Sequence, residues 1–127
     1  MCLKNCYICD SLLVIPQAIK IIRAESALSA KKLGRGVKNF NEEVWERERL
    51  RIMTEVLMEK FKIPALRQFL LATEESTIVE CSPTDKIWGI GIKLGNLECF
   101  QREKWQGLNL LGEALMAVRA TIRDYHN

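Results

Sequence analysis

Apolar residues recur at helical spacing along much of this chain. Ile52, Met53, Val56, Leu57 and Phe61 share one face, while Arg47, Arg51, Glu55 and Glu59 fall on the other, which predicts a long helix with one buried stripe. Its start is marked locally. Asn41 is an N-cap residue, Glu42 and Glu43 favour the positive end of the helix dipole, and Phe40 with Trp45 has the spacing of a hydrophobic staple. Two shorter helices precede it, over residues 16–24, with Pro16 in the first turn, and over 29–33, ended by Gly34. A fourth begins near Pro64 and is expected to bury Leu66, Phe69 and Leu70, with residues 73–76 closing it. The last runs over 108–125, with Leu108, Leu111, Leu115, Val118 and Ile122 on one side. Between these two, Thr77, Ile78 and Val79 predict a short strand and residues 95–104 a surface loop. The reading is an α+β chain, mainly α, forming one compact domain with a few short strands. Residues 16–127 make up the domain and residues 1–15 an atypical leading segment.

The segment from Glu80 to Ile92, ECSPTDKIWGIGI, breaks the helical pattern and concentrates chemistry. The strand delivers Glu80, Ser82-Pro83-Thr84-Asp85 turns the chain, and Trp88-Gly89-Ile90-Gly91 follows. Glycines allow backbone to approach a ligand, proline stiffens the turn, and an indole face can hold a ring. The same residues also describe a plain hairpin around a core tryptophan, and the pattern alone leaves both readings open.

The charge is balanced, with 19 Lys and Arg against 16 Asp and Glu for a net +3, so no nucleic-acid footprint stands out. No run nears the roughly 20 apolar residues of a membrane span, and the opening residues lack the layout of a signal peptide. Five cysteines without a paired framework fit a reducing, cytoplasmic setting. Cys2, Cys6 and Cys9 have a Cys-x3-Cys-x2-Cys spacing like the cluster loop of radical S-adenosylmethionine enzymes, but no barrel of repeated βα units follows. With His126 the single histidine, a zinc site lacks a fourth ligand as well. No metal and no cofactor is expected.

The ordered motifs resemble the NADAR family, also called the YbiA-like N-glycosidases. They are Ala30-Lys31-Lys32-Leu33-Gly34-Arg35; Trp45 with Arg49 and Met53; Phe69-Leu70-Leu71-Ala72-Thr73; Val79-Glu80 with Ser82-Pro83; and Asp85 with Trp88-Gly89-Ile90-Gly91. Last come Trp105-Gln106-Gly107-Leu108-Asn109-Leu110-Leu111-Gly112, Leu115-Met116 and Arg119. The resemblance covers residues 16–125. It implies a YbiA-like fold and hydrolysis of a ribose C1′–N bond, either in ribosylamino-pyrimidine phosphates of riboflavin biosynthesis or in ADP-ribosylated guanine. The partners implied are a small nucleotide-like substrate and ADP-ribosylated nucleic acid.

Breaking such a bond builds positive charge on the sugar, which a carboxylate can stabilise while it activates water. The resemblance places Asp85 and Glu80 in that catalytic role. Trp88, Gly89, Ile90, Gly91, Arg35, Trp45 and Asn109 become the substrate-binding set. Each has a structural alternative. Asp85 can tighten its turn, Glu80 can be an exposed strand end, and Arg35 can clamp phosphate or simply face solvent. Trp45 and Trp105 suit a core, and Asn109 suits the cap of the last helix.

One departure from the family pattern concerns the beginning of the chain. Family members carry an upstream Ser-Asn-Phe-like stretch and a helix with a site glutamate, and residues 1–15 match neither. Three expectations compete: a hydrolase working with Glu80 and Asp85, a domain that binds ADP-ribose or another nucleotide without turnover, and a structural remnant. The missing segment also predicts an uncovered apolar face, and with it a homo-oligomer or a poorly soluble chain.

Overall fold

The structure, a computed structural model, describes residues 15–38 and 40–125. The chain segment holding Cys2, Cys6 and Cys9, and His126, lie outside the described residues. The described residues fall into two compact units, divided after Ile52, and contain five α-helices and no strand.

The first unit holds α1 (Ile15–Ile22), α2 (Ala27–Arg35) and the opening turns of α3 (Glu42–Lys60). α1 packs on α2 and buries Ile21. α2 starts earlier than the apolar spacing predicts, because Ser26 caps it: its Oγ accepts from the Ser29 N–H at 3.1 Å. It also runs through Gly34, against the expected stop there. A glycine inside a helix costs only about 1 kcal/mol, and the helix ends at Gly36, whose N–H reaches back to the Leu33 carbonyl at 3.1 Å. The head of α3 is built as its sequence indicates. Asn41 Oδ1 accepts from the Val44 N–H at 3.0 Å, and the rings of Phe40 and Trp45 stand 6.3 Å apart, centre to centre.

The second unit takes the later turns of α3, then α4 (Pro64–Leu71) and α5 (Leu110–Asp124), which pack on each other. Its core joins Leu57 and Phe61 of α3 and its end, Leu70 of α4, and Ala114, Val118 and Ile122 of α5. Two expected core residues are surface residues. Phe69 is 76% exposed, since the inward face of α4 is already supplied by Leu66 and Leu70, and Leu108 is 57% exposed because the helix starts after it. Arg119, 5% exposed, pins the turn after α4. Its Nη1 donates to Thr73 Oγ1 at 2.7 Å and to the Ser76 carbonyl at 2.9 Å. That turn includes Glu74 in the left-handed region, at φ 47°.

The expected strand at Thr77–Val79 does not form. Within it the Ile78 carbonyl accepts from the Asn109 side chain, and no strand is present over these residues. Residues 95–104, expected as plain loop, contain two short 3-10 turns, Leu97–Phe100 and Arg102–Lys104. The first of these buries Cys99 against Ile90 and Ile92 in a second, smaller cluster.

Candidate functional site

Three stretches of the second unit meet around residue 80. The Glu80 carbonyl accepts from the Ile90 N–H at 3.0 Å and from the Ser82 N–H at 3.1 Å, closing the 80–90 segment into a compact loop. Inside it, Asp85 Oδ1 accepts from the Trp88 N–H at 2.8 Å and the Ile87 N–H at 3.0 Å. The Asp85 N–H in turn donates to Ser82 Oγ at 3.2 Å. One carboxylate oxygen of Asp85 therefore shapes the turn, as short polar side chains do. Its second oxygen has no hydrogen-bond partner among the described residues.

The loop is sewn to the head of α5. Carbonyls of Lys86, Ile87, Trp88 and Gly89 accept from the N–H groups of Leu108, Leu110, Leu111 and Asn109 at 2.9–3.1 Å, and the Ile90 carbonyl accepts from Gln106 at 2.8 Å. The first N–H groups of a helix need outside partners. Here Leu110 and Leu111 find them in the candidate loop, so this end of α5 is occupied by protein carbonyls.

That seam explains the glycines. A Cβ on Gly89 would stand 2.8 Å from the Glu80 carbonyl oxygen and 2.9 Å from that of Asp85. One on Gly107 would overlap the Gly89 carbonyl, and one on Gly112 would overlap the Ile78 carbonyl. Gly91 adopts φ 73° beside Gln106, a conformation that favours glycine. The sequence suggested that glycines here admit a ligand. Gly89 instead admits the protein's own backbone, and Gly91 is buried.

The other expected binding residues separate in the same way. Ile90 is fully buried and belongs to the second cluster, so its side chain is core. Asn109 is 0% exposed, and its side chain neither caps α5 nor faces outward. Its Oδ1 accepts from the Glu80 N–H at 3.0 Å and its Nδ2 donates to the Ile78 carbonyl at 2.9 Å. The role that fits is positioning of the Glu80 backbone. Trp45 lies buried at the staple of the first unit, its core alternative, and Arg35 ends α2 of that unit with an exposed side chain. Of the expected residues in this loop, Trp88 and Asp85 are half-buried and Glu80 is exposed.

An open cleft of about 600 Å³ lies beside this loop, with Val79, Cys81, Leu94, Asn96, Cys99 and Trp105 among its lining. The sequence reading passed over it. The available signal was alternation: Thr77, Val79 and Cys81 line the cleft, while Ile78 between them packs on the helical core. Trp105 is held there by its Nε1, which donates to the Cys99 carbonyl at 3.0 Å, and by the Arg102 guanidinium 5.4 Å over its ring. Burial pushes the Cys81 thiol above its ordinary pKa, and its hydrogen bond to Cys99 adds to the shift. Among the described residues, no group of three or more His, Cys, Asp or Glu is placed to hold a metal, and no helix is long and apolar enough to cross a membrane.

The match extends beyond motifs. The family model described as the NADAR domain covers residues 3–123, and the chain belongs to that family. An N-glycosidase of Acanthamoeba polyphaga mimivirus is 44% identical over 101 residues, 79% of this chain and 59% of that protein. An N-glycosidase of Nostoc punctiforme is 38% identical over 81 residues, 63% of this chain and 45% of that one. A chloroplastic riboflavin biosynthesis protein of Zea mays is 35% identical over 116 residues, 84% of this chain and 17% of its own length. The chain thus spans about half the length of the first relatives it matches.

Proposed function

We propose that this chain is an N-glycosidase domain that hydrolyses a ribose C1′–N bond in a nucleotide-like substrate. The observation that carries the reading is Asp85, fixed through one oxygen by two backbone N–H groups and unpartnered among the described residues through the other. A carboxylate held in this way keeps its direction without rearrangement while positive charge develops on the sugar. Glu80, exposed but anchored through its backbone, supplies the second carboxylate and accepts a proton from the attacking water. Trp88 offers a surface for the departing base. Relatives named N-glycosidase support the bond type, and relatives named for riboflavin biosynthesis support a ribosylamino-pyrimidine phosphate as one substrate class. ADP-ribosylated guanine is the other class, and a reducing cytoplasm suits the free thiols of Cys81 and Cys99.

The test is a mass-spectrometric hydrolysis assay on both substrate classes, comparing the natural chain with Asp85→Asn and Glu80→Gln. Asparagine keeps the Oδ1 acceptor that shapes the turn but removes the negative charge. Release of ribose phosphate or ADP-ribose that drops by roughly 10²-fold or more in the folded Asp85→Asn chain supports hydrolysis. Release that survives both substitutions overturns the assignment of these carboxylates.

The turn-shaping bonds of Asp85 also favour a second reading, a domain that binds nucleotide without cleaving it. Thermal stabilisation by ADP-ribose with no released product would select it.

A further inference from the structure

The two thiols in the cleft wall have no part in the proposed hydrolysis, yet they touch. Cys81 Sγ donates to Cys99 Sγ at 3.7 Å, and Cys99 Sγ donates to the Lys93 carbonyl at 3.4 Å. Both are free cysteines, Cys81 half-buried and Cys99 buried, and both line the open cleft. We propose that Cys81 and Cys99 are a reversible thiol–disulfide site, oxidised by peroxide entering the cleft and reopened by a dithiol reductant. This inference stands on the thiol geometry alone and is independent of the N-glycosidase reading.

The geometry favours an intramolecular bond over other oxidation products. The sulfurs stand 3.7 Å apart and must close to about 2.0 Å. Cys81 is the more accessible of the two and reacts first, through the small thiolate fraction that its raised pKa leaves, so the reaction quickens as pH rises. Its thiolate attacks one oxygen of the peroxide, the O–O bond breaks, and Cys81 becomes a sulfenic acid as hydroxide leaves. The Cys99 sulfur then attacks Cys81 Sγ, the S–O bond breaks, and the departing hydroxide takes the Cys99 proton. Two thiols and one peroxide give one disulfide and two waters. The neighbouring thiol intercepts the sulfenic acid before further oxidation.

The bond would enclose Ser82 to Glu98, and with them Asp85 and the Trp88-Gly89-Ile90-Gly91 turn. It would staple the candidate loop to the 3-10 turn at Leu97–Phe100. Closing a loop of this size is worth a rise in melting temperature of roughly 10 °C.

The experiment uses the full chain with Cys2, Cys6 and Cys9 changed to serine, treated with hydrogen peroxide and then with dithiothreitol. The expected result is a monomer about 2 Da lighter, a Cys81–Cys99 linked peptide after digestion, and the higher melting temperature, all reversed by the reductant. Cys81→Ser in that background should be folded when reduced and show none of the three. Two alkylatable thiols after peroxide, a sulfinic acid at Cys81, or a disulfide only between separate chains would each overturn the proposal.

Discussion

Asn109 holds Glu80 by the backbone: its Oδ1 accepts the Glu80 N–H at 3.0 Å across 29 residues of sequence. Its Nδ2 takes the Ile78 carbonyl at the same time, so one amide group aligns the chain on its way into the candidate site. The left-handed backbone of Asn109, φ 53°, turns that amide inward and leaves α5 without a side-chain cap. Asparagine tolerates this conformation better than most residues.

Asn109→Ala should therefore be costly. It leaves two backbone groups short of a partner and places alanine in the left-handed region, for a combined loss of about 3–5 kcal/mol. Urea denaturation reads it directly. A loss below about 1 kcal/mol would mean that the 78–80 segment is held by other contacts.

Glycine substitutions should rank by what a Cβ meets. Gly107→Ala collides with the Gly89 carbonyl and with Lys86 Cα at 2.8 Å, both backbone, and should cost about 3 kcal/mol or more. Gly95→Ala meets nothing within 4 Å and suffers only from its φ of 95°, a cost of about 1–2 kcal/mol. Thermal melts of the two variants give the order, and a reversed order would contradict the seam between the loop and α5.

Arg119→Met should destabilise by about 2–4 kcal/mol, because Thr73 Oγ1 and the Ser76 carbonyl both lose their donor. Arg119→Lys should rescue it only partly, since an ammonium cannot copy the planar guanidinium. Full rescue by lysine, measured by chemical denaturation, would show that charge alone matters there.

The Cys81 thiol sets a direction for pH dependence. Its folded pKa is raised by burial, so the folded chain keeps this proton at pH values where the unfolded chain has lost it. The resulting stabilisation is present below the unfolded thiol value, near 8.5. It fades as pH rises from there through the folded value. Reduced chain should lose stability over that alkaline window, and Cys81→Ala should lose less. An equal loss in both would remove Cys81 as the cause.

Local signals in the sequence carried the helices. The cap of α3 rests on Asn41, Val44, Phe40 and Trp45, all within a few residues of one another, and Pro64 likewise marks the first turn of α4. Phe69 and Leu108 misled because apolar character does not say which face a neighbour will cover. The site was only half legible. The loop that carries Asp85 and Trp88 stands out as a short motif, but Asn109 bonds at separations of 29 and 31 residues, and its side chain was expected to cap its own helix. Likewise, Thr77–Val79 has strand-like residues, yet no strand forms there and the Ile78 carbonyl is taken by that same amide.

The amide hydrogens of Leu108, Asn109, Leu110 and Leu111 all end on carbonyls of residues 86–89. None of them can meet solvent deuterium until the candidate loop parts from the head of α5, so they should exchange together, in a single opening event. The slow clock of those four protons would time how often the site comes apart.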